Sequence, residues 1–271
     1  MRYINNLTIL AFVLLTVAGC SVDSEQSLPK RSYSLTWSDE FNGEAGELPN
    51  SENWVFDLGT GQNGWGNNEL QSYTNNPDNI SLDGEGNLVI TAIKNNGNYT
   101  SGRIKTQGLF SQKYGKIEAR IKTPTGKGIW PAFWMLGDNK DEIGWPRCGE
   151  IDLMEQKGQL SSTTYASLHG PGYSGGQAIT TPYSIQNSRF DTDFFVYSVE
   201  WGEGYVDFLV NDFLHKRLTP EDITGEWVYN NQPFFLILNV AVGGAFVGLP
   251  NDNTPFPQAM KIDYVRVYKE N

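Results

Sequence analysis

Residues 115–137, GKIEARIKTPTGKGIWPAFWMLG, carry the pattern that decides the fold. In 115–123 apolar and charged side chains alternate, which is the period of a strand with one buried face. In 129–136 the chain is almost entirely apolar, but Trp130, Ala132 and Trp134 still share one face of a strand. A short turn containing Pro and Gly joins the two segments, so we predict that they are neighbours in one sheet.

Other segments repeat this character along the chain. They are short, β-rich and separated by turn clusters such as NNPDN and DGEGN, and they comprise 87–94, 194–201, 204–212 and 261–268. We find no helical period of twelve residues and no internal repeat. The sequence therefore predicts an all-β fold, an antiparallel β-sandwich of jelly-roll type with a concave groove, in one domain spanning 32–271.

The net charge of the chain disfavours some classes of binding partner. The 271 residues carry a formal net charge of −11, and aromatic residues make up 13%. A strongly acidic chain is a poor partner for nucleic acid, and a strongly sulfated ligand is disfavoured for the same reason. We expect a monomer.

The first twenty residues are typical of a targeting signal and not of a folded segment. The apolar run from Leu7 to Ala18 has the length of a signal-peptide core and is too short to span a membrane. It ends in LTVAGC, which resembles the bacterial lipobox, so we predict 1–20 as a lipoprotein signal peptide and Cys20 as the lipidated residue. The polar segment 21–31 is then a flexible tether. This places the protein in the cell envelope, at the outer membrane or cell surface, touching membrane only through its lipid; without lipidation it is secreted.

Cysteine usage adds one point. If Cys20 carries lipid, Cys148 has no disulfide partner in this chain. His169 and His215 are the only histidines that could activate it, so we interpret Cys148 as a small buried hydrophobe rather than a nucleophile.

The segment 148–157, CGEIDLMEQK, places three acids in an apolar run. In a strand, Glu150 and Asp152 point to the same face, whereas Glu155 points to the other. One extra residue near Leu153–Met154, a β-bulge, returns Glu155 to the face of the other two.

Such a strand brings the outer carboxyls together. With both side chains leaning inward, their separation is roughly 5 Å, which suits a retaining glycosidase better than an inverting one. Three other interpretations remain open at this point: a solvated acidic face, a cation site, and a sugar-binding groove without catalysis. Trp130 and Trp134 favour a sugar ligand, because indole faces stack on the apolar faces of sugar rings.

The chain resembles glycoside hydrolase family 16, and within it the bacterial laminarinase-like endo-β-1,3-glucanases. The resemblance runs in order through the whole predicted domain and rests on WSDEFNG (37–43), GWGNNELQSYT (64–74), SGRIKT (101–106), YGKIEARIKTPTGKGIWPAFWMLG (114–137), WPRCGEIDLMEQKG (145–158), SLHG (167–170), LNVAVGG (238–244) and IDYVRVY (262–268). It implies hydrolysis of β-1,3-glucan, with mixed β-1,3-1,4-glucan as a further candidate substrate.

The resemblance also implies the catalytic roles. Glu150 is expected to be the nucleophile, Glu155 the general acid and then base, and Asp152 a partner that shares protons or hydrogen bonds between them. His169 is expected to contact the acids from the groove.

Further residues are implied as sugar contacts. Trp130, Trp134 and Trp145 would hold sugars on the glycone side, with Asn67 and Arg103 as hydrogen-bond donors. The alternative for Arg103 is a solvated surface charge.

Many members of the family carry a structural calcium ion away from the active site. By resemblance its ligands would be Glu40, the carbonyl of Gly86 and Asp263, and oxygen donors of this kind suit calcium. No cofactor is expected for catalysis. Two alternatives to the glucanase remain: a hydrolase of another polysaccharide such as agarose, and a β-glucan-binding lipoprotein without activity.

Overall fold

The computed structural model describes residues 31–271. The predicted signal peptide, Cys20 and the tether up to residue 30 lie outside the described residues, so the lipidation site remains a prediction. Arg31, the last residue of the predicted tether, belongs to the folded domain: its guanidinium pairs with Glu200 at 2.7 Å and with Asp207 at 3.3 Å. Within 31–271 no helix has the length and apolar character needed to cross a membrane.

The described chain is built mainly from strands. In chain order they are β1 (Tyr33–Asp39), β2 (Val55–Phe56), β3 (Gln71–Tyr73), β4 (Ile80–Leu82), β5 (Leu88–Asn95), β6 (Asn98–Ser101), β7 (Arg103–Lys105), β8 (Gly115–Lys122), β9 (Ile129–Gly137), β10 (Glu150–Gln156), β11 (Thr163–His169), β12 (Ile179–Ser184), β13 (Phe195–Gly202), β14 (Tyr205–Val210), β15 (Phe213–Leu218), β16 (Phe234–Val242) and β17 (Gln258–Glu270). Helical structure is short: α1 (Lys140–Ile143), the 3₁₀ turns Gly175–Gln177 and Pro220–Asp222, and an irregular turn at Gly64–Asn68.

The strands form two sheets. The first sheet has the order β15-β14-β13-β8-β17-β5-β6-β3, with β1 added along β17 and β4 along β5. The second sheet has the order β12-β11-β10-β9-β16-β7-β2. Neighbouring strands are antiparallel except for the short β3–β6 pair. The predicted all-β sandwich of jelly-roll type is confirmed.

The hydrophobic core lies between the sheets. Each sheet contributes the apolar half of its alternating pattern, for example Ile117 and Val267 from the first sheet and Phe133 and Leu238 from the second, all fully or almost fully buried. Because alternate residues of a strand point to opposite faces, the other half of the second sheet is left to form the surface on which the functional groups stand.

The predicted pairing of the two segments in 115–137 is wrong. β8 pairs with β13 and β17 in the first sheet, whereas β9 pairs with β10 and β16 in the second. The connection between β8 and β9 crosses from one sheet to the other. It is held by contacts distant in sequence, since the amide of Gly126 bonds to the carbonyl of Gly158. A turn that changes sheets uses the same Pro and Gly residues as a hairpin, and only the distant partners distinguish the two.

Candidate active site

Strand β10 contains the predicted bulge. Against β9, Asp152 lies opposite Trp134 and Glu155 lies opposite Ala132, so three steps on β10 match two steps on β9. Leu153 and Met154 both point into the core and are buried at 2% and 0% exposure. Two consecutive core residues shift the alternation by one, which places Glu155 on the same face as the other acids.

A groove of about 790 Å³ runs over this face of the second sheet. It is lined by every residue that the sequence predicted as catalytic or sugar-binding: Glu150, Asp152, Glu155, Trp130, Trp134, Trp145, His169, Asn67 and Arg103. The groove crosses the strands, with the acids of β10 near its middle and Arg103 of β7 towards one end.

The two outer glutamates are held in the same way. Glu150 Oε2 accepts a hydrogen bond of 2.8 Å from the indole N–H of Trp145. Glu155 Oε1 accepts one of 2.9 Å from the indole N–H of Trp130. The hydroxyl of Ser167 donates to Glu155 Oε2 at 3.4 Å.

Burial sets the protonation of this cluster. It raises the pKa of Glu150 and of Glu155 well above the usual range, and the negative charge of Asp152 raises both further. The hydrogen bonds from the two indoles act in the opposite direction, because they stabilise the ionised carboxylates. A carboxyl with a raised pKa retains a proton near neutral pH and can serve as a general acid.

His169 completes the cluster from β11. Its Nε2 lies 3.1 Å from Asp152 Oδ2 and 3.5 Å from Glu150 Oε1, and its Nδ1 accepts a hydrogen bond of 3.1 Å from the backbone N–H of Gly175. Burial lowers the pKa of His169 while the two carboxylates raise it, and the charges together favour an imidazolium. The Gly175 bond opposes this, because Nδ1 accepts only through its unprotonated lone pair. The ring therefore carries no proton on Nδ1, and its Nε2 faces the carboxylates of Asp152 and Glu150.

The same bond argues against a metal centre here. Glu150, Asp152 and His169 each offer one potential ligand atom, and these atoms lie within 4.8 Å of one another. A metal would need the lone pair of Nε2, and a metal-bound histidine normally donates from its other nitrogen. Nδ1 of His169 accepts instead of donating, so the cluster fits proton transfer better than metal binding.

Arg103 is not the solvated surface charge that the sequence left open. Its side chain is 11% exposed, and its Nε lies 2.9 Å from Asp57 Oδ2. The guanidinium lies between two indoles, 4.5 Å from the ring centre of Trp65 and 4.9 Å from that of Trp134. This cation–π stack orders one end of the groove and covers one face of Trp134.

A chain of hydrogen bonds continues beneath the groove. The indole of Trp134 donates to Asn239 Oδ1 at 2.8 Å, and Asn239 donates to the hydroxyl of Tyr73 at 3.1 Å. Asn67 and Tyr73 both donate to the carboxylate of Glu69, at 3.1 Å and 3.3 Å. Asn67 lines the groove, and its amide N–H is engaged by Glu69, so its role as a donor to sugar stays a prediction.

Several groove residues carry no distinguishing signal in the sequence. Trp65 and Glu69 lie inside the quoted stretch 64–74, but nothing in the pattern distinguishes them from its other polar and aromatic residues. Lys157 and Phe246 also line the groove. Lys157 could have been found, because the bulge that returns Glu155 to the groove face also returns the residue two positions later.

The residues named for calcium lie away from the groove, and their carboxylates have arginine partners. Both oxygens of Glu40 accept from Arg266, at 2.9 and 2.7 Å, and Asp263 pairs with Arg120 at 2.5 Å. An ion that used these side-chain oxygens would have to share or displace the arginines, so the side chains do not fit a calcium site well. Calcium binding remains a prediction.

Cys148 is fully buried on the groove side of the second sheet, in a small apolar cluster with Leu136, Phe235 and Ile237. Burial raises the pKa of its thiol to about 11. A thiol of this kind is inert near neutral pH, which agrees with the interpretation of Cys148 as a small hydrophobe.

Comparison with known proteins agrees with this geometry. The model of the family described as glycosyl hydrolases family 16 matches residues 67–266. A β-glucanase of Rhodothermus marinus is 38% identical over 272 residues, which cover 96% of this chain and 93% of that protein. The laminarinase catalytic domain of Thermotoga maritima MSB8 superposes with a TM-score of 0.82 at 45% identity, covering 88% of this chain and 99% of that one. The laminarinase of Flavobacterium sp. UMI-01 gives 0.80 at 44% identity, covering 87% and 100%.

Proposed function

The chain belongs to glycosyl hydrolase family 16, and from that membership we propose that it is a retaining endo-β-1,3-glucanase, with mixed β-1,3-1,4-glucan as a second substrate. One observation carries the proposal. Two glutamates on a single bulged strand, each held by an indole N–H, flank Asp152 on the floor of a groove lined by tryptophans. The laminarinases to which the chain is similar support β-1,3-glucan as the substrate.

In the first step Glu155, protonated, gives its proton to the glycosidic oxygen as the bond from that oxygen to the sugar C1 breaks. The carboxylate of Glu150 attacks C1 from the opposite side and forms a glycosyl ester. The raised pKa of Glu155 suits this role, because a protonated acid is then available near neutral pH.

In the second step Glu155 acts as a base. It takes a proton from water, whose oxygen attacks C1 and releases Glu150 as a carboxylate. Esterification has removed the charge of Glu150, which had helped to raise the pKa of Glu155, so the intermediate favours the ionised form of Glu155 that a base requires. Two inversions at C1 leave the product with the β configuration.

Asp152 and His169 hold the pair in place. The negative charge of Asp152 raises the pKa of Glu155 and so helps to keep the acid protonated, and the Nε2 of His169 faces Asp152 Oδ2 at 3.1 Å. Neither residue forms a bond to the sugar in this mechanism.

The test is release of reducing ends from laminarin, lichenan, agarose and carrageenan by the purified protein. We expect the fastest release from laminarin, slower release from lichenan, and none from the other two. Early products should be long oligosaccharides, as internal cleavage requires, and proton NMR should show the β anomer first. Glu150→Gln is the inactive control.

Two outcomes would contradict the proposal. Faster release from agarose than from laminarin would favour a hydrolase of another polysaccharide. Binding of laminarin without release of reducing ends would favour the binding protein.

A further inference from the structure

Lys157 directly follows β10, the strand that carries the acids, and lines the same groove. It follows Gln156, whose side chain is fully buried on the opposite face, and it lines the groove together with Glu155. It lies two residues beyond Glu155, in the direction away from Glu150, so the two Cα atoms are at most roughly 7 Å apart. The order across the groove is therefore nucleophile, Asp152, acid, and then an ammonium group.

Aromatic rings hold this ammonium. The Nζ of Lys157 lies 4.3 Å from the ring centre of Phe246 and 5.3 Å from that of Tyr165. Phe246 in turn lies 5.2 Å from Trp130, centre to centre, and Trp130 donates to the general acid. Lys157 thus belongs to the wall of the groove beside Glu155.

Lys157 differs from the other groove cations. Arg103 and Lys105 both pair with Asp57, and Lys140 lies 3.6 Å from Asp141. Among residues 31–271, no carboxylate oxygen lies within 4.0 Å of the Lys157 ammonium. The three N–H donors of Lys157 are available for a ligand. The aromatic rings already hold the ammonium in position, so binding a ligand costs less side-chain entropy than it would for a freely moving lysine.

The positions of the two glutamates indicate which part of a substrate Lys157 contacts. Glu150 attacks the sugar carbon from one side, and Glu155 protonates the departing oxygen on the other. The departing oxygen therefore lies on the Glu155 side of the scissile bond, and Lys157 lies beyond Glu155 on that side.

We propose that Lys157 binds the sugar on the leaving-group side of the scissile bond, donating hydrogen bonds to its hydroxyls while Phe246 contacts its apolar edge. The inference rests on the proposed glucanase function. It adds a residue that binds the leaving sugar and that binds a sugar acceptor when the glycosyl ester reacts by transglycosylation. In that reaction an acceptor hydroxyl takes the place of water. Glu155 removes its proton, its oxygen forms the bond to C1, and Glu150 leaves as a carboxylate.

The test compares two kinds of leaving group in Lys157→Met, which keeps an unbranched chain on the aromatic rings and removes the donors. We expect kcat/KM on a laminari-oligosaccharide, which departs as a sugar, to fall roughly 10–100-fold, the usual worth of a hydrogen bond from a charged group. The loss on a nitrophenyl β-laminarioside should be smaller by about tenfold, because its leaving group has no hydroxyls to bind.

A second measurement isolates acceptor binding. With the nitrophenyl substrate and added laminaribiose, the ratio of transglycosylation to hydrolysis should fall by a similar factor in Lys157→Met, and Lys157→Arg should restore part of it. This ratio is set after the glycosyl ester has formed, so a general loss of folded enzyme does not change it. Lys113→Met is the matched control, since Lys113 also lies over a ring, 4.9 Å from that of Tyr114, but outside the groove.

The outcomes separate the two proposals. Equal losses on both substrates, or an unchanged transglycosylation ratio in an active Lys157→Met enzyme, would overturn the role of Lys157 alone. A wild-type protein that cleaves neither substrate would refute the proposed function, and the Lys157 inference with it.

Discussion

The indole N–H of Trp130 donates a 2.9 Å hydrogen bond to Oε1 of Glu155, the expected general acid. Trp130 lies on β9 and Glu155 on the neighbouring strand β10, so the bond ties the acid to the floor of the groove. The bond favours the carboxylate over the carboxyl and so works against the burial that raises the pKa of Glu155. Trp130 therefore has two roles, a surface for sugar and a control on the protonation of the acid.

Trp130→Phe should raise the pKa of Glu155 further. The ring remains available for stacking, but the ionised carboxylate loses a donor worth about 1.5 kcal/mol, which corresponds to about one pH unit. The alkaline limb of kcat/KM reports the essential acid, so it should move upward by up to about that amount. The measurement is the pH profile of kcat/KM on laminarin.

Trp134→Phe is the matched control. Trp134 lies on the same face of β9, but its indole donates to Asn239 and not to a catalytic acid. We expect weaker substrate binding without displacement of the alkaline limb. Equal displacement in both variants would show that the shift comes from the groove as a whole and not from the bond between Trp130 and Glu155.

A second histidine predicts how stability depends on pH. His215, on the edge strand β15 of the first sheet, stacks on Tyr183, on the edge strand β12 of the second, with ring centres 5.0 Å apart. Burial lowers the pKa of His215 to about 4, below the usual value near 6.5. The unfolded chain then binds more protons than the folded one between these two values, so His215 contributes stability above about pH 6.5 that is lost progressively as the pH falls towards 4.

His215→Phe should weaken this dependence. The free energy of unfolding in urea, measured at pH 7 and at pH 5, should fall less between the two values in the variant than in the wild type. The comparison with wild type removes the contribution of Glu150 and Glu155, whose raised pKa values act in the opposite direction. The same pH dependence in both proteins would contradict the role of His215.

The acid cluster could be predicted because its geometry is local. The bulge at Leu153–Met154 follows from the spacing of three acids in one strand, and a strand fixes the side of every residue by its period alone. The alternation of side chains within a strand does not indicate which other strand pairs with it. For this reason alternation and a Pro-Gly turn predict β8 and β9 in one sheet, although their turn connects two sheets.

The supporting contacts depend on distant residues. Asp57 and Arg103 meet through the β2–β7 pairing, and the stack of Trp65 and Trp134 on Arg103 needs three separate segments of the chain. None of these pairs has a fixed spacing in sequence, so no periodicity could indicate them.

Cys148→Ala should leave catalysis intact. The thiol is buried with a raised pKa, and the variant keeps the backbone carbonyl that accepts from Gln232. We expect unchanged kcat/KM on laminarin and a stability loss of about 1 kcal/mol from the small cavity. Rapid inactivation of the wild type by iodoacetamide at pH 7, with resistance of the variant, would contradict this.

Cys20→Ala should release the protein from membranes if the lipid prediction is correct. The prediction depends on the LTVAGC ending, because a lipobox without its cysteine has no acceptor for the lipid. The measurement is fractionation of cells producing either form of the full chain, with the wild type expected in the membrane fraction. Soluble behaviour of both forms would mean that Cys20 carries no anchor.

The two glutamates can be separated by chemistry supplied from outside. Glu155→Ala should lose roughly 10²–10⁴-fold in rate on laminarin, the usual worth of a positioned acid–base group. On an aryl β-laminarioside the leaving group needs little protonation, so this variant should still form the glycosyl ester on Glu150. Asp152→Asn should be milder, because it perturbs the protonation of its neighbours without removing a group that forms a bond.

Azide then reveals which glutamate attacks carbon. In Glu155→Ala, azide can attack the ester without help from a base and should give the β-glycosyl azide, since two inversions have occurred. In Glu150→Gly no ester can form, so azide should attack the substrate directly and give the α-azide by a single inversion. The measurement is the assignment of the azide product anomers by NMR, which distinguishes the nucleophile from the acid–base residue. The β-azide from Glu150→Gly together with the α-azide from Glu155→Ala would reverse the two roles, and near-normal hydrolysis of laminarin by both variants would place the active site away from β10.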